Sequence, residues 1–358
     1  MRPWSRRLAV LVAVAFLVAV AGARAAEPSP ALAPVIEAAK KEGKLNLEWG
    51  AGIIGGDEGI RQMIDGMNAM FGTKIVYRFT PGPSLPEVVG QVIVAMNAGQ
   101  PSPSDAVIGS DQHAADLAQK NASVPVDWVS LLPQRIEPSS VDAGGRAIRI
   151  YTTMPGGIDY NPKLAPMKPT KLIDMLRPEW KGKIASTPYA GSWELLTGSD
   201  VWGERGVDFA RDLSPQLAGL IRCNELDRLA SGEFVGFLMD CTGREWVDMK
   251  RKGAPVEHVV ASDFAAVRFY YFSIAKNAAN PNAAKLFVTY LETSEGQRLI
   301  WKYADTDLHT YPDSQLAPEV HAYEKAGIAF HPFTIQWHLD HPEGQVGLAK
   351  AVRLLAGN

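Results

Sequence analysis

The sequence predicts an α/β fold in two lobes, and three observations predict it. Strand-like and helix-like segments alternate along most of the chain, the order that gives each lobe a mixed, mostly parallel sheet flanked by helices. At 358 residues the chain is long enough for two domains of roughly 150 residues each. The pattern also opens one lobe, passes to a second and returns, which is what a two-domain clamp requires. Lobe 1 is expected over 27–150 plus 265–358 and lobe 2 over 151–264, with hinge strands near 149–156 and 259–268.

Composition narrows the class. Hydrophobic residues make up 46% and charged residues 21%, which excludes a disordered tail, a collagen-like repeat and a small disulfide scaffold. The formal charge is −3 with no basic block, so nucleic acid is a poor partner, because phosphate neutralisation needs clustered Lys and Arg.

The first element reads as an export signal. Arg2, Arg6 and Arg7 precede an unbroken apolar run over 8–21, and Ala23 and Ala25 satisfy the small-x-small rule for cleavage. Residues 1–26 are expected to be removed after Ala25 or Ala26. The run falls short of the about 20 residues of a membrane span, which leaves an uncleaved anchor as the alternative. Ser5-Arg6-Arg7 also looks like a twin-arginine signal, although Ala9 replaces the bulky residue expected there. Loss of the segment's four arginines would take the formal charge from −3 to −7. The mature chain is expected to be soluble and periplasmic. In that oxidising compartment Cys223 and Cys241 most simply form one disulfide, with two buried free thiols as the alternative.

The next elements follow from periodicity. Residues 44–49 and 75–79 read as strands, and Ile60, Met63, Ile64, Met67 and Met70 recur at helical spacing between them, with Asp57 as an N-cap. A helix over 88–97 ends at Gly99 and Pro101; a short strand at 106–108 leads into a helix over 112–120. Residues 149–154 form a strand. Beyond it, 183–186 and 234–239 read as strands and 224–230 as a helix stopped by Gly232. A long strand returns at 267–274. Asn280-Pro281 then starts a helix, and Ser294-Glu295-Gly296-Gln297 is a capping box for the next.

Four stretches carry a resemblance: Glu37-Ala38-Ala39-Lys40-Lys41-Glu42-Gly43-Lys44; Leu172 through Arg177-Pro178-Glu179-Trp180-Lys181-Gly182-Lys183-Ile184; Leu229-Ala230-Ser231-Gly232-Glu233-Phe234; and Ile274-Ala275-Lys276-Asn277 through Asn280-Pro281 to Gln297. On these the chain resembles the extracellular solute-binding proteins of ABC importers, in the branch related to ferric-ion and small-solute receptors. The resemblance implies a two-lobe clamp of the type II periplasmic-binding kind. It implies a monomer that closes on a small molecule and delivers it to an inner-membrane ABC permease and its ATPase. It implies no catalytic residue, no cofactor and no resident metal.

In such a clamp the ligand sits at the strand ends, where helix N-termini and turns face the cleft. That rule selects Trp49, Gly52 and Ile53 after the first strand, and Ser110 and Asp111 after the third. In the second lobe it selects Thr187, Gly191, Ser192 and Trp193, then Arg222 and Asn224, then Asp240, Thr242 and Arg244. Cys223 and Cys241 lie in two of these loops, so a bridge would pin them together. Ser110, Thr187, Ser192 and Thr242 offer hydroxyls; Arg222, Arg244 and Arg268 suit a carboxylate or phosphate; Trp49 or Trp193 would cover an apolar portion. An organic anion is therefore the favoured solute.

Three rival readings remain. Ferric-ion receptors of this branch place adjacent tyrosines where this chain has Asp240-Cys241; Tyr270-Tyr271 lies instead in the returning strand, where alternation lets only one face a cleft and packing is the favoured role. Gly50-Ala51-Gly52-Ile53-Ile54-Gly55 matches the dinucleotide pattern, which would make an exported NADP-dependent oxidoreductase, but the second strand ends without an acidic residue for a ribose. His309, His321, His331, His338 and His341 lack the spacing of a metalloenzyme and are expected to be structural or solvent-facing. No hydrolase elbow is present.

Overall fold

A computed structural model describes residues 29–187 and 191–357. The expected export signal over 1–26 lies outside the described residues. Among those described, no helix is long and apolar enough to cross a membrane.

The first sheet is centred on Ala266–Ile274, nine residues of which eight are buried. It pairs antiparallel with Ala147–Thr153 on one side and Ala106–Ser110 on the other. Val141–Asp142 extends one edge. Lys44–Trp49 and Val76–Pro81 form a parallel pair. Polar side chains tie that pair to the rest: Asp105 accepts from the backbone N–H of Asn46 at 2.8 Å and of Asn280 at 3.0 Å, and Ser104 Oγ accepts from Glu48 N–H. The core beneath holds Trp49, Ile60, Met63, Met67, Phe272, Phe287 and Tyr290.

The second sheet runs in the order Glu257–Val259, Ile158–Tyr160, Gly236–Leu238, Ile184–Ser186, Leu217–Leu220. Its first two joins are antiparallel and its last two parallel. The mixed α/β architecture is as expected. Parallel pairing is less dominant than expected, because Ala266–Ile274 runs antiparallel to two of its three neighbouring strands and parallel only to His331–Phe333.

The chain leaves the first sheet after Thr153, enters the second at Ile158, and returns between Val259 and Ala266. It then crosses once more. His331–Phe333 pairs with Ala266–Arg268, and the helices Ile335–Asp340 and Glu343–Leu355 bury Trp337, Ala351 and Leu355 against Trp193, Leu196, Phe209 and Leu213. The sequence reading kept 265–358 with lobe 1; these last helices pack on the second-lobe core because their apolar face meets the apolar faces of Gly191–Leu196 and Glu204–Leu213 there.

Three capping expectations are corrected. Gly55, not Asp57, is the N-cap of Gly56–Phe71. Asn280 occupies the N-cap position of Pro281–Leu291, but its amide donates to Asp105; the first-turn N–H groups of Asn282 and Ala283 donate to Glu42 instead. Thr293, one residue before the expected Ser294, caps Ser294–Ala304, and this frees Gln297 to bridge Ile150, Leu291 and Leu308 in the core.

Candidate functional site

Two cavities flank one side chain, Tyr270. A register shift in the Ala266–Ile274 strand falls between Tyr270 and Tyr271. Tyr271 is fully buried, whereas Tyr270 lines both cavities and stacks on Tyr151 with ring centroids 4.6 Å apart. Burial raises both phenols above their usual range, so both stay protonated.

The first cavity, about 290 Å³, has Gly52, Ile53, Tyr151, Thr153 and Tyr270 on the first-lobe side and Thr242, Arg244 and Glu245 on the second-lobe side. Arg244 precedes the helix Glu245–Arg251. Its guanidinium reaches across, donating to the Asp305 carbonyl at 2.8 Å and to Glu319 Oε2 at 2.7 Å. The arginine side chain is 7% exposed and its carboxylate partner 30%.

The second cavity, about 430 Å³, is lined by Ser110, Gln112, His113, Arg268 and Tyr270 opposite Gly191, Ser192, Glu194 and Cys241. Behind it lies a buried ionic chain. Arg268 donates to Asp111 Oδ1; His338 Nε2 lies 2.8 Å from Asp111 Oδ2, and His338 Nδ1 lies 2.9 Å from Glu194 Oε1. Burial alone would raise the Asp111 carboxyl, but Arg268 and His338 hold it below its ordinary value. Burial would likewise depress His338, but Asp111 and Glu194 raise it to about 9, so it is a cation at neutral pH. His113, which lies 2.9 Å from Ser110 Oγ, is pushed by burial down to about 4 and stays neutral.

The expected disulfide is present. Cys223 and Cys241 are bonded, with Cα atoms 6.0 Å apart, and the bridge ties the turn after Leu217–Leu220 to the turn after Gly236–Leu238.

The sequence-selected residues divide accordingly. Gly52, Ile53, Thr242 and Arg244 line the first cavity, and Ser110, Gly191 and Ser192 the second. Asp111 stands behind the second cavity. Thr187 is buried beside the disulfide, its Oγ1 3.7 Å from Cys223 Sγ, and the three residues after it lie outside the described set. Asp240 is buried and accepts from the N–H groups of Gly156 and Gly157. Trp49 and Trp193 are corrected: both are fully buried, Trp49 against Phe79 and Phe272 and Trp193 against Phe209, because each ring points into its own core. Arg222 and Asn224 are also corrected. They are exposed and line neither of these two cavities; Glu225 accepts from Arg222 N–H in that turn. The glycine pattern at 50–55 has a packing explanation: Gly55 sits at φ +83°, and a Cβ there would come within 2.5 Å of the Tyr303 ring.

Tyr151 and Glu194 are the residues that sequence reasoning passed over, while Tyr270 and His338 are residues to which it gave packing or surface roles. Alternation had indicated that only one of Tyr270 and Tyr271 can face a cleft, and Tyr270 is that one.

Two α/β lobes with solute-sized cavities between them define a receptor class. The chain belongs to the bacterial extracellular solute-binding proteins, whose family model matches residues 104–334. An uncharacterized protein of Haemophilus influenzae is 33% identical over 146 residues, which is 37% of this chain and 40% of that relative's length. Among solved structures, the substrate-binding protein of an ABC transporter from Agrobacterium tumefaciens aligns with a TM-score of 0.71 at 16% identity, covering 92% of this chain and 97% of its own. AfuA of Actinobacillus pleuropneumoniae, with fructose-6-phosphate bound, aligns at 0.61 and 19%, covering 88% and 97%. Iron-bound HitA of Pseudomonas aeruginosa aligns at 0.59 and 17%, covering 72% and 84%.

Proposed function

We propose that this chain is the periplasmic substrate-binding component of an ABC uptake transporter, and that its solute is a small organic anion held beside Tyr270. The lobes close about the three segments that cross between them, and contacts to both lobes stabilise the closed form that an inner-membrane permease receives. No chemistry on the solute is required. One observation carries the anion reading: Arg244 stands at the wall of the first cavity, belongs to the second lobe, and is paired across the cleft with a carboxylate that is itself partly open to solvent. A ligand carboxylate or phosphate would replace Glu319 bidentately and lay its apolar part on Tyr270 and Tyr151.

Thermal-shift screening of carboxylates, phosphonates, polyols, amines and ferric ion tests this, since a ligand that binds only the folded state raises the melting point by mass action. Acids are expected to raise it, and Arg244→Gln to weaken the best of them by at least tenfold. A shift with amines or polyols alone would remove the anion; turnover of a substrate by the purified protein would remove the receptor. Ferric ion is kept as an arm because Tyr151 and Tyr270 stack at the first cavity. Iron held there would give a visible tyrosinate charge-transfer band.

A further inference from the structure

A second group of ionisable side chains lies away from both cavities, within the second lobe. Asp159 and His258 stand opposite each other on the antiparallel strands Ile158–Tyr160 and Glu257–Val259, which puts their side chains on one face of the sheet. Asp240 follows the neighbouring strand Gly236–Leu238. His258 Nδ1 lies 2.9 Å from Asp159 Oδ1 and 3.6 Å from Asp240 Oδ2, and donor atoms of all three residues fall within 4.8 Å of one another. The side chains are 0–1% exposed.

Two carboxylate oxygens of this group have no hydrogen-bond partner, Asp159 Oδ2 and Asp240 Oδ2; the ring nitrogen that faces the acids is His258 Nδ1, and the unpaired Nε2 is the other one. Buried polar atoms are nearly always paired, and a buried carboxylate oxygen left bare is costly. The other oxygen of Asp240 is fixed by the Gly156 and Gly157 N–H groups at 2.7 and 2.9 Å, so the carboxylate is aimed rather than free to turn. The imidazole is fixed as well. Trp246 stacks on it with an interplanar angle of 3°, and Gly157 packs at its edge so closely that a Cβ there would come within 2.3 Å of Cε1. Among the described residues, the ion pairs of Asp159 and Asp240 are with this histidine alone; no lysine or arginine neutralises the two acids.

We propose that Asp159, Asp240 and His258 bind one divalent first-row transition ion as a fixed centre of the second lobe, separate from the transported solute. Two carboxylate oxygens and one imidazole nitrogen are a borderline-to-hard donor set, suited to zinc or manganese. Metal–ligand bonds of about 2.0–2.2 Å place adjacent donors roughly 3.0–3.5 Å apart, close to the 2.9 and 3.6 Å that separate His258 Nδ1 from the two acids. The ion supplies the positive charge that two buried carboxylates need, and a water completes its shell. Its structural effect is to clamp three strands of the sheet at the end from which Asp240 leads into the Thr242–Arg244 turn.

The test uses the mature protein, stripped with chelator, dialysed, and titrated separately with zinc chloride and manganese chloride. One equivalent of zinc or manganese is expected to survive gel filtration and to raise the melting point. Bound Mn²⁺ is expected to show the electron spin-echo modulation of one imidazole nitrogen. Asp159→Asn and His258→Gln are expected to abolish retention while keeping the wild-type circular dichroism. Substoichiometric metal in the wild type would overturn the proposal, as would an equivalent of metal that persists in both variants, which would place it elsewhere. If neither variant folds, the wild-type manganese spectrum decides: nitrogen modulation supports the site, and its absence refutes it.

Discussion

Arg244 and Arg268 make the same kind of contact in two different settings. Each is an almost buried arginine at a cavity beside Tyr270, and each is paired with a carboxylate. The partner of Arg268 is Asp111, which is wholly buried and shared with His338. The partner of Arg244 is Glu319, which water can reach. A pair sealed from solvent has nothing to exchange with, so removing one member strands the other as an uncompensated charge. A pair open on one side can trade its carboxylate for that of a ligand. The second cavity is thus backed by a buried ionic frame, and the first has the ion pair whose carboxylate is open to solvent.

Four measurements break or sharpen that contrast. The largest effect is expected for Asp111→Ala, which leaves Arg268 and His338 unpaired and should lower unfolding stability in urea by about 3–5 kcal/mol. A loss below about 1 kcal/mol would show that the frame is not sealed. Next is pH. The folded His338 value is raised to about 9 from an ordinary 6.5, so its contribution is complete below about pH 6.5 and is lost as pH rises through about 9. That loss should approach roughly 3 kcal/mol in the wild type and vanish in His338→Gln. On the acid side Asp111, whose value is lowered, contributes above its ordinary range and loses that contribution as pH falls.

Third, Arg244→Gln should weaken an anionic ligand by roughly 10–100-fold in calorimetry, the worth of one charged hydrogen-bonding contact. The smallest effect is expected for Glu319→Gln, about 1 kcal/mol or less in unfolding stability, because its partner retains the Asp305 carbonyl. A loss as large as that from Asp111→Ala would erase the distinction between the two arginines.

Much of the fold was legible because it rests on local signals. The helical spacing of Ile60, Met63, Ile64 and Met67 and the apolar run near 267–274 reappear as the helix Gly56–Phe71 and the central strand. What sequence alone could not give depends on register and on distant partners. His338 is one of five C-terminal histidines without metalloenzyme spacing, and its partners Asp111 and Glu194 come from other parts of the chain. Asp159 and His258 carried no signal at all, since their meeting is produced by strand register. Trp49 and Trp193 were read as cleft walls from their places near strand ends, but large rings gain more by burial in a core. For Tyr270, β-propensity favours packing but does not say which ring of a Tyr-Tyr pair alternation leaves at the cavities.

The last crossing of the chain has a practical use. The helix Leu32–Glu42 packs on the first-lobe core, and the helix Glu343–Leu355 packs on the second. Lys40 and Arg353 are exposed on these two helices, away from either cavity. Fluorophores attached there would ride on opposite jaws, and their energy transfer would follow capture of a solute in real time without a label near Tyr270.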